Sequence, residues 1–452
     1  MKQFSRFPTM VGILLSAAVA LHIGAFADGM FGKPAAGSAL FITGQFMISL
    51  SLLRLYNGKW IIQDIRVFFA MFLFLYGAAL PAVVLFGFAG SVDGIAGAGF
   101  MYGTAFVGFN LVQWWYKQPF HDIPEHVFSR IQPTWVNVGI LITAFLIVIA
   151  YALARGVSVG LTIDRGQRGY LNTQFWVVLI FGVNGLAMFM FAGWSNLTRL
   201  AKIAVVSSVV MFVAFQLAMG NRRDFLPMFI FIACVVANKR HMIIRWGTLI
   251  VGSIAFVLFM AVGIVRQVLQ DPAILVRFNA VELVVTQNEF VAPIYTLMHY
   301  VLHFRVPRWG LTYLAAPSQL IPRAIWPDKP ESLSLQFMRD AFGSTNLMGY
   351  AYTPVTEAFL NFSWVGPFLV FAVWSLVLVK LVKSADAHPA WYLLAYALVV
   401  DFHRGDFAGT FYALVFVGGS YAVMQFISHL TWYSKDPAGS PVVRATPVLH
   451  SR

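Results

Sequence analysis

Continuous apolar runs follow one another along most of this chain, and each is about as long as a bilayer-spanning helix. The first run extends from Met10 to Ala27 and the last from residue 408 to residue 431. An α-helix needs about 20 consecutive apolar residues to cross the hydrocarbon core of a bilayer. Strands of a membrane β-barrel would instead alternate apolar and polar residues. The pattern therefore predicts an all-α, polytopic integral membrane protein.

The composition excludes the soluble classes of protein. Hydrophobic residues make up 59% of the 452 residues and charged residues only 11%, whereas soluble domains are about 45–50% apolar and about 25% charged. The net charge of +13 is explained by basic loops facing anionic lipid, so we expect the lipid bilayer as a partner and no nucleic acid. The single cysteine, Cys234, excludes a disulfide framework or a cysteine-based metal centre within one chain.

The apolar runs predict about 12 transmembrane helices, and for the short second, eighth and eleventh runs a partly re-entrant segment is the alternative. Their approximate ranges are 10–27, 38–53, 67–90, 94–115, 135–154, 174–194, 201–219, 224–238, 246–265, 358–382, 389–402 and 408–431. Four regions follow: transmembrane helices 1–9 (residues 1–265), a large outer loop with interfacial helices (266–357), transmembrane helices 10–12 (358–431) and a tail (432–452). The first run resembles a signal peptide, but its length favours an uncleaved span.

The distribution of basic residues predicts the orientation. With an even number of spans both termini lie on one side, and most Lys and Arg residues of the short loops then fall on that same side. Short basic loops are cytoplasmic by the positive-inside rule, so we predict two cytoplasmic termini.

Three hairpins carry arginines on the outer side, against this rule. They contain Arg165 and Arg168, Arg222 and Arg223, and Arg404. Guanidinium groups bind phosphate in a bidentate manner, so one interpretation is a shared anionic site at the outer face. The alternative is that each arginine pairs with a neighbouring aspartate (Asp164, Asp224, Asp401 or Asp406) and reaches the interface.

The large loop has the composition of a folded segment. Its apolar stretches 284–300 and 309–320 are predicted to lie on the membrane or to fold back into it. Glu282 and Glu289 would share one helix face, as an acid–base pair or as a solvated polar face. His299 and His303 have the spacing of metal ligands, but no third ligand lies near them in the sequence, so we predict no metal.

The most distinctive stretch of the loop runs from Ile321 to Pro330. Its prolines restrict φ and disfavour a helix. Trp326 suits either the membrane interface or stacking on a sugar ring, while Arg323 and Lys329 flank it. The alternative is a rigid interfacial turn without a ligand.

Four segments together resemble the Wzy-type polysaccharide repeat-unit polymerases, which include the O-antigen and exopolysaccharide polymerases. The resemblance covers most of the chain in architecture. Its motifs are Gly-Asn-Arg at 220–222, IPR..WP.KP at 321–330, Thr-Glu-Ala-Phe-Leu-Asn-Phe at 356–362 followed by Gly-Pro at 366–367, and Arg-Gly at 404–405. An arginine followed eleven residues later by glycine, found in some members, is missing at Arg222, Arg223, Arg305 and Arg308.

The resemblance implies a glycosyltransferase of the GT-C type with one large periplasmic loop. It would join oligosaccharides linked to undecaprenyl diphosphate at the periplasmic face of a bacterial inner membrane, beside a chain-length regulator and a flippase of the same pathway. The donor is already activated by its diphosphate, so no nucleotide sugar is needed, and the resemblance implies a reaction without a cofactor or a metal. The related O-antigen ligases and a non-enzymatic flippase or transporter are the alternatives.

This chemistry suggests roles for particular side chains. Cations must stabilise the leaving diphosphate, and the acceptor hydroxyl needs a general base or at least an orienting hydrogen-bond acceptor. We predict Arg222, Arg323, Arg404 and Glu357 as catalytic residues. The predicted substrate-binding residues are Arg165, Arg168, Tyr170, Arg223, Arg266, Glu289, His299, Trp326, Lys329 and His403. Glu289, His299, His403 and Asp401 are the alternatives to Glu357 as base.

Overall fold

The structure, a computed structural model, describes most of the chain. The described residues are 7–30, 32–58, 63–88, 90, 92–121, 123, 128, 131–156, 174–218, 224–239, 290–303, 306–322, 325–343 and 351–433. All regular structure within these ranges is helical, which confirms the all-α prediction for this part of the chain.

The helices of the first half are mostly long. They are α1 (Phe7–Met30), α2 (Pro34–Asn57), α3 (Ile65–Leu85), α4 (Ile95–Tyr116), α5 (Trp135–Ala154), α6 (Gln174–Ala192), α7 (Arg199–Ala218) and α8 (Leu226–Lys239), with a short 3₁₀ turn at Trp194–Asn196.

Shorter helices dominate the second half. They are α9 (Ala292–His303), α10 (Leu311–Ala315), a 3₁₀ helix at Ala316–Leu320, α11 (Leu333–Phe342), α12 (Pro354–Phe362), a 3₁₀ turn at Ser363–Val365, α13 (Gly366–Ser384), α14 (Pro389–Ala397), α15 (Val399–His403) and α16 (Phe407–Tyr433).

Within the described part of the chain, eight helical segments are long and apolar enough to cross a membrane. They are Pro34–Asn57, Ile65–Leu85, Ile95–Tyr116, Trp135–Ala154, Phe175–Ala192, Arg199–Leu217, Pro354–Ser384 and Phe407–Thr431. These lengths match the thickness of a hydrocarbon core. The chain therefore has the make-up of a multi-pass membrane protein.

The other four predicted spans differ from these eight. The predicted spans 10–27 and 224–238 coincide with shorter apolar helices, Val11–Phe26 and Leu226–Val236. The predicted span 246–265 lies outside the described residues. The predicted span 389–402 is divided into α14 and α15, which meet at Leu398. The count of twelve spans thus stays a prediction.

Helix α4 lies at the centre of one group of helices and packs against α2 and α13. The contact with α13 is close because α4 has a glycine there: a Cβ added to Gly108 would lie 2.2 Å from the Phe368 carbonyl oxygen. Small residues permit such close approach of helix backbones in a membrane. Buried polar contacts join the same helices, since Ser49 donates to Asn110 Oδ1 at 2.6 Å and Gln113 donates to Ser375 Oγ at 2.8 Å.

A buried ion pair lies at one end of this group, beside the backbone groups that contact α14. Asp64 caps α3, and its carboxylate lies 2.7 Å from the Arg66 guanidinium, with both side chains fully inaccessible. The Tyr392 hydroxyl of α14 donates to the Gln63 carbonyl and accepts from the Ile65 N–H, each at 2.7 Å. Buried charges are tolerated only when they are paired and hydrogen-bonded in this way.

Helix α16 connects a second group of helices, which includes α5 and α6, to the loop region. It packs against α6 along the membrane-spanning length, and Asn137 of α5 donates to the Met424 carbonyl at 3.1 Å. Its first turns contact α10, the 3₁₀ helix Ala316–Leu320 and α15. The start of α16 is therefore the meeting point of the membrane helices with the short helices of the loop.

Candidate functional site

A cavity of about 240 Å³ lies between α10, α11, α12 and the start of α16. We call it the inner cavity. Polar side chains and the aliphatic Leu311 and Leu333 line it together. The polar lining residues are Arg308, Thr312, Gln319, Glu331, Ser332, Gln336, Glu357 and Asp406. Within the described residues this is where a buried carboxylate, a cation and neutral hydrogen-bonding groups share one space, so we take it as the candidate site.

A turn at residues 308–310 brings α10 to the end of α12. Trp309 and Gly310 have positive φ angles of 50° and 85°, and the chain reverses there into α10. The backbone N–H groups of Arg308 and Trp309 donate to the carbonyls of Leu360 and Asn361, each at 2.9 Å. Carbonyls in the last turn of a helix need such partners. The turn thus fixes Arg308 beside the helix that carries Glu357.

Glu357 lies in the first turn of α12. Thr353 caps this helix by accepting a hydrogen bond from the Thr356 N–H, and Pro354 follows at the first helical position, as is typical of a helix start. The side chain of Glu357 is buried, at 1% exposure. Its position is therefore set by a well-capped helix rather than by a flexible loop.

Both oxygens of the Glu357 carboxylate accept hydrogen bonds. Oε1 accepts from the Thr312 hydroxyl at 2.5 Å, and Oε2 accepts from the Phe407 N–H at 2.6 Å. Asn361, one turn along α12, donates to Thr312 Oγ1 at 2.6 Å and so orients that hydroxyl. Phe407 is the first residue of α16, where unpaired N–H groups and the helix dipole favour negative charge. The carboxylate is thus held at a fixed position with lone pairs still available.

Arg308 and Asp406 are the charged neighbours of Glu357. The charges of both act on the Glu357 carboxyl. The Arg308 guanidinium donates to Gln336 Oε1 at 2.7 Å. Asp406 accepts from the Gly409 N–H at 2.9 Å, as a cap of α16, and from the Leu333 N–H at 3.3 Å. These contacts attach the first turn of α11 to the wall of the cavity, through the Leu333 N–H and the Gln336 side chain.

A second, wider cavity of about 580 Å³ adjoins the first. It shares Arg308, Pro330, Glu331 and Gln336 with the inner cavity, and we call it the outer cavity. Its own charged residues are Asp328, Lys329, Arg339 and Asp340. Arg339 forms an ion pair with Glu331 across it. The two cavities together leave room for a ligand larger than one sugar.

Lys329 and Trp326 lie at the outer side of this region. The Lys329 ammonium is only 4% exposed and donates to the carbonyls of Gln319 and Ile321, at 3.2 and 2.8 Å. The Trp326 side chain is exposed. The lysine that the sequence suggested for a substrate thus has two backbone partners within its own loop.

Arg404 and His403 lie just before α16. Arg404 is half-buried and follows α15 directly, two residues before Asp406. His403 is buried, and its ring lies against Phe69 and Tyr76 of α3, with centroid distances of 4.5 and 6.3 Å. Neither residue lines the inner or the outer cavity.

His299 lies on α9, outside both cavities. It stacks on His303 at 4.6 Å and meets Phe337 of α11 edge-on. Burial lowers the pKa of His299, the nearby His303 lowers it further, and Asp340 opposes the change. No group of three His, Cys, Asp or Glu side chains in the described ranges is arranged to hold a metal ion.

The remaining predicted site residues lie outside the described residues. They are Arg165, Arg168, Tyr170, Arg222, Arg223, Arg266, Glu289 and Arg323. Their roles stay predictions.

Sequence reasoning passed over several residues of the inner cavity. Arg308 was considered only for a spacing pattern, and Asp406 only as a partner of Arg404. Thr312, Gln319 and Gln336 carried no signal, because uncharged polar residues in a loop have many ordinary roles. The nearest available clue to Arg308 was the Trp-Gly pair after it, which marks a turn.

Comparisons of the chain with protein-family models, with curated proteins and with solved structures gave no match.

Proposed function

We propose that this protein is a glycosyltransferase that polymerises oligosaccharide repeat units carried on undecaprenyl diphosphate. The observation that carries the proposal is the inner cavity, in which the buried Glu357 carboxylate lies with Arg308 beside a group of membrane helices. A positioned carboxylate and a nearby guanidinium are the two groups that metal-free transfer from a diphosphate donor requires. The order of motifs shared with Wzy-type polymerases supports the same reaction class.

In the proposed reaction, a hydroxyl of the acceptor sugar attacks the anomeric carbon of the donor glycan. A new glycosidic C–O bond forms while the bond from that carbon to the diphosphate oxygen breaks, and the diphosphate leaves with the electron pair. The acceptor hydroxyl gives its proton to the Glu357 carboxylate. Thr312 and Phe407 hold the two carboxylate oxygens, so the base is oriented before substrate arrives.

Arginine is assigned to the leaving group. Arg308 faces the inner cavity, and Arg404 precedes Asp406 of the same cavity in the chain. With Arg222 and Arg323, these guanidinium groups would bind the diphosphate and stabilise the charge that develops on it. The proposed supporting residues are Arg165, Arg168, Arg223, Arg266 and Lys329 for the phosphates, and Tyr170, Glu289, His299, Trp326 and His403 for the glycan.

The proposal includes the location and the partners. The site would face the periplasm of a bacterial inner membrane, with twelve spans in a GT-C arrangement and both termini in the cytoplasm. A flippase would supply the lipid-linked units and a chain-length regulator would set the polymer size. No cofactor is assigned, because the diphosphate already activates the donor.

A deletion strain tests the proposal. Surface glycans and lipid-linked intermediates are separated on a gel, with and without the gene supplied in trans. A polymerase predicts that long polymer disappears, that single repeats still reach the surface, and that the wild-type gene restores the ladder. Loss of all surface-attached glycan with polymer retained on the carrier would instead identify a ligase. Single units trapped on the cytoplasmic face would identify a flippase. The ligase result and the flippase result would each overturn the proposal.

A further inference from the structure

Large apolar side chains of the loop region are exposed between residues 309 and 326, outside every candidate membrane span. Leu314 and Ile325 are each 76% exposed, and Leu311 is 64% exposed. Trp309 and Trp326, at the two ends of this stretch, are exposed as well. We call these five side chains the apolar edge. Exposed apolar side chains grouped in this way mark a contact with a protein or a membrane.

The apolar edge is attached directly to a candidate membrane helix. The Tyr313 ring, between the two exposed leucines, points inward and meets the Phe407 ring edge-on at 5.5 Å. Ala316 is fully buried, and the 3₁₀ helix that it begins packs on α16. Phe407 is the first residue of the candidate span Phe407–Thr431. The apolar edge therefore lies at the level where α16 enters its apolar environment.

A closed turn holds the far end of the apolar edge outward. Lys329 donates to the carbonyls of Gln319 and Ile321, and Gln319 donates back to the Pro330 carbonyl at 3.0 Å. The N–H groups of Ile325 and Trp326 both donate to the Pro322 carbonyl, at 2.9 and 3.0 Å. The ends of the turn are thus tied together, and Ile325 lies within it as an exposed side chain.

The chemistry of the apolar edge matches lipid. The stretch from residue 309 to residue 322, which holds Trp309, Leu311 and Leu314, contains no charged residue. Arg308 precedes this stretch, and Arg323 separates it from Ile325 and Trp326. Tryptophan prefers the boundary between headgroups and acyl chains. An uncharged, aliphatic stretch between tryptophans and charges is typical of a segment that lies in the plane of the interface.

We infer that the apolar edge inserts into the bilayer leaflet next to the start of α16, with the turn closed by Lys329 as its anchor. In this arrangement Lys329 closes the turn, and Trp326 lies at the headgroup level beside the site proposed for the glycan. The arrangement also places the inner cavity next to the membrane surface, because Leu311 belongs both to the apolar edge and to the lining of that cavity. The inference stands on exposure and packing alone and does not depend on the proposed glycosyl transfer.

Single-cysteine labelling tests the insertion directly. The chain has one cysteine, Cys234, so a Cys234→Ala background can carry Leu314→Cys, Ile325→Cys or, as a control from the same turn, Asp328→Cys. Each full-length variant is labelled with the fluorophore NBD and reconstituted in vesicles of phosphatidylcholine and phosphatidylglycerol. Phosphatidylcholine with a doxyl quencher at carbon 5 of the acyl chain is then included. Quenching by lipid does not depend on which way the protein is oriented in the vesicle.

Insertion predicts about a twofold loss of NBD fluorescence at positions 314 and 325, with little loss at position 328, because only the first two probes would lie among acyl chains. Equal, weak quenching at all three positions would overturn the inference. So would labelling of 314 and 325 by a membrane-impermeant maleimide as fast as labelling of 328.

The role of Lys329 has its own test. Lys329→Met removes both ammonium hydrogen bonds, so quenching at position 325 should fall while quenching at position 314, on α10, should persist. Unchanged quenching at 325 would show that Lys329 does not hold the turn.

Discussion

The Phe407 N–H donates a 2.6 Å hydrogen bond to the Glu357 carboxylate, and this contact joins the first turns of α12 and α16 across a separation of 50 residues. It places a buried carboxyl group at the N-terminus of a long helix, where the helix dipole favours the charged form of that group. The same carboxylate lines the inner cavity. One side chain therefore couples the packing of two membrane-associated helices to the chemistry proposed for the site.

Glu357→Gln should abolish most of the polymerising activity. The variant has an NH2 group in place of one carboxylate oxygen. That group cannot accept the hydrogen bond that the replaced oxygen receives from the Phe407 N–H or the Thr312 hydroxyl. A neutral amide also cannot take the proton of the acceptor hydroxyl. Loss of a general base costs about 10²–10⁴-fold in rate. The rate of glycan elongation in isolated membranes measures the effect, with the amount of folded protein determined in parallel. Asp386→Asn, in an exposed loop after α13, is the matched control and should keep the wild-type rate. An elongation rate for Glu357→Gln equal to wild type would remove Glu357 from the mechanism.

Arg308 and Gln336 should act as one unit. Because the Arg308 guanidinium donates to Gln336 Oε1, either truncation breaks the same contact. Each single variant, Arg308→Ala or Gln336→Ala, should lower the elongation rate. The sum of the two losses, expressed as free energies, should therefore exceed the loss in the double variant. Contacting residues typically show a coupling of about 0.5–3 kcal/mol. Arg199→Ala, at the exposed start of α7, should combine additively with Arg308→Ala. Strict additivity of the Arg308–Gln336 pair would contradict the contact.

The positions of the long helices could be predicted from sequence, while the site could be predicted only in part. The predicted spans 94–115 and 135–154 lie within one or two residues of α4 and α5, because a long apolar run has few other uses. Glu357 directly precedes the predicted span 358–382, and in the structure it lines the inner cavity. Arg308 reaches that cavity through backbone contacts with α12, which no local spacing encodes.

The surroundings of Lys329 could not be predicted from the sequence. The sequence predicts Lys329 as a substrate-binding residue, and the structure adds that two backbone carbonyls of its own loop accept hydrogen bonds from the ammonium at the outer cavity. A sequence shows which side chains carry charge but not which carbonyls a turn leaves unpaired. Charged residues in tight, proline-rich turns are therefore weak evidence for a ligand until the turn itself is known.

The buried ion pair near the end of α2 should be important for stability. Asp64→Ala would leave the Arg66 guanidinium buried without its partner, and breaking a buried pair in this way costs about 3–5 kcal/mol. We expect a markedly lower midpoint of thermal unfolding in detergent. Asp93→Ala, at an exposed position before α4, should leave the midpoint unchanged. Equal midpoints for the two variants would argue against the buried pair.

The close contact between α4 and α13 should not tolerate a methyl group. In Gly108→Ala the new Cβ would lie 2.2 Å from the Phe368 carbonyl oxygen, so the two helices would have to separate. Gly139→Ala in α5 meets nothing within 4 Å and should be neutral or stabilising, by up to about 1 kcal/mol from helix propensity. Thermal unfolding of the two variants side by side tests the packing. A stable Gly108→Ala protein would show that the helices are further apart.

The central claim is that this protein itself forms glycosidic bonds at the expense of a lipid diphosphate. The most direct measurement uses the purified full-length protein in vesicles with undecaprenyl-diphosphate-linked repeat units. Wild-type protein should lengthen the lipid-linked glycans and release one undecaprenyl diphosphate for each bond formed, and Glu357→Gln protein should do neither. Wild-type protein that moves the lipid-linked units across the membrane without lengthening them would contradict the account.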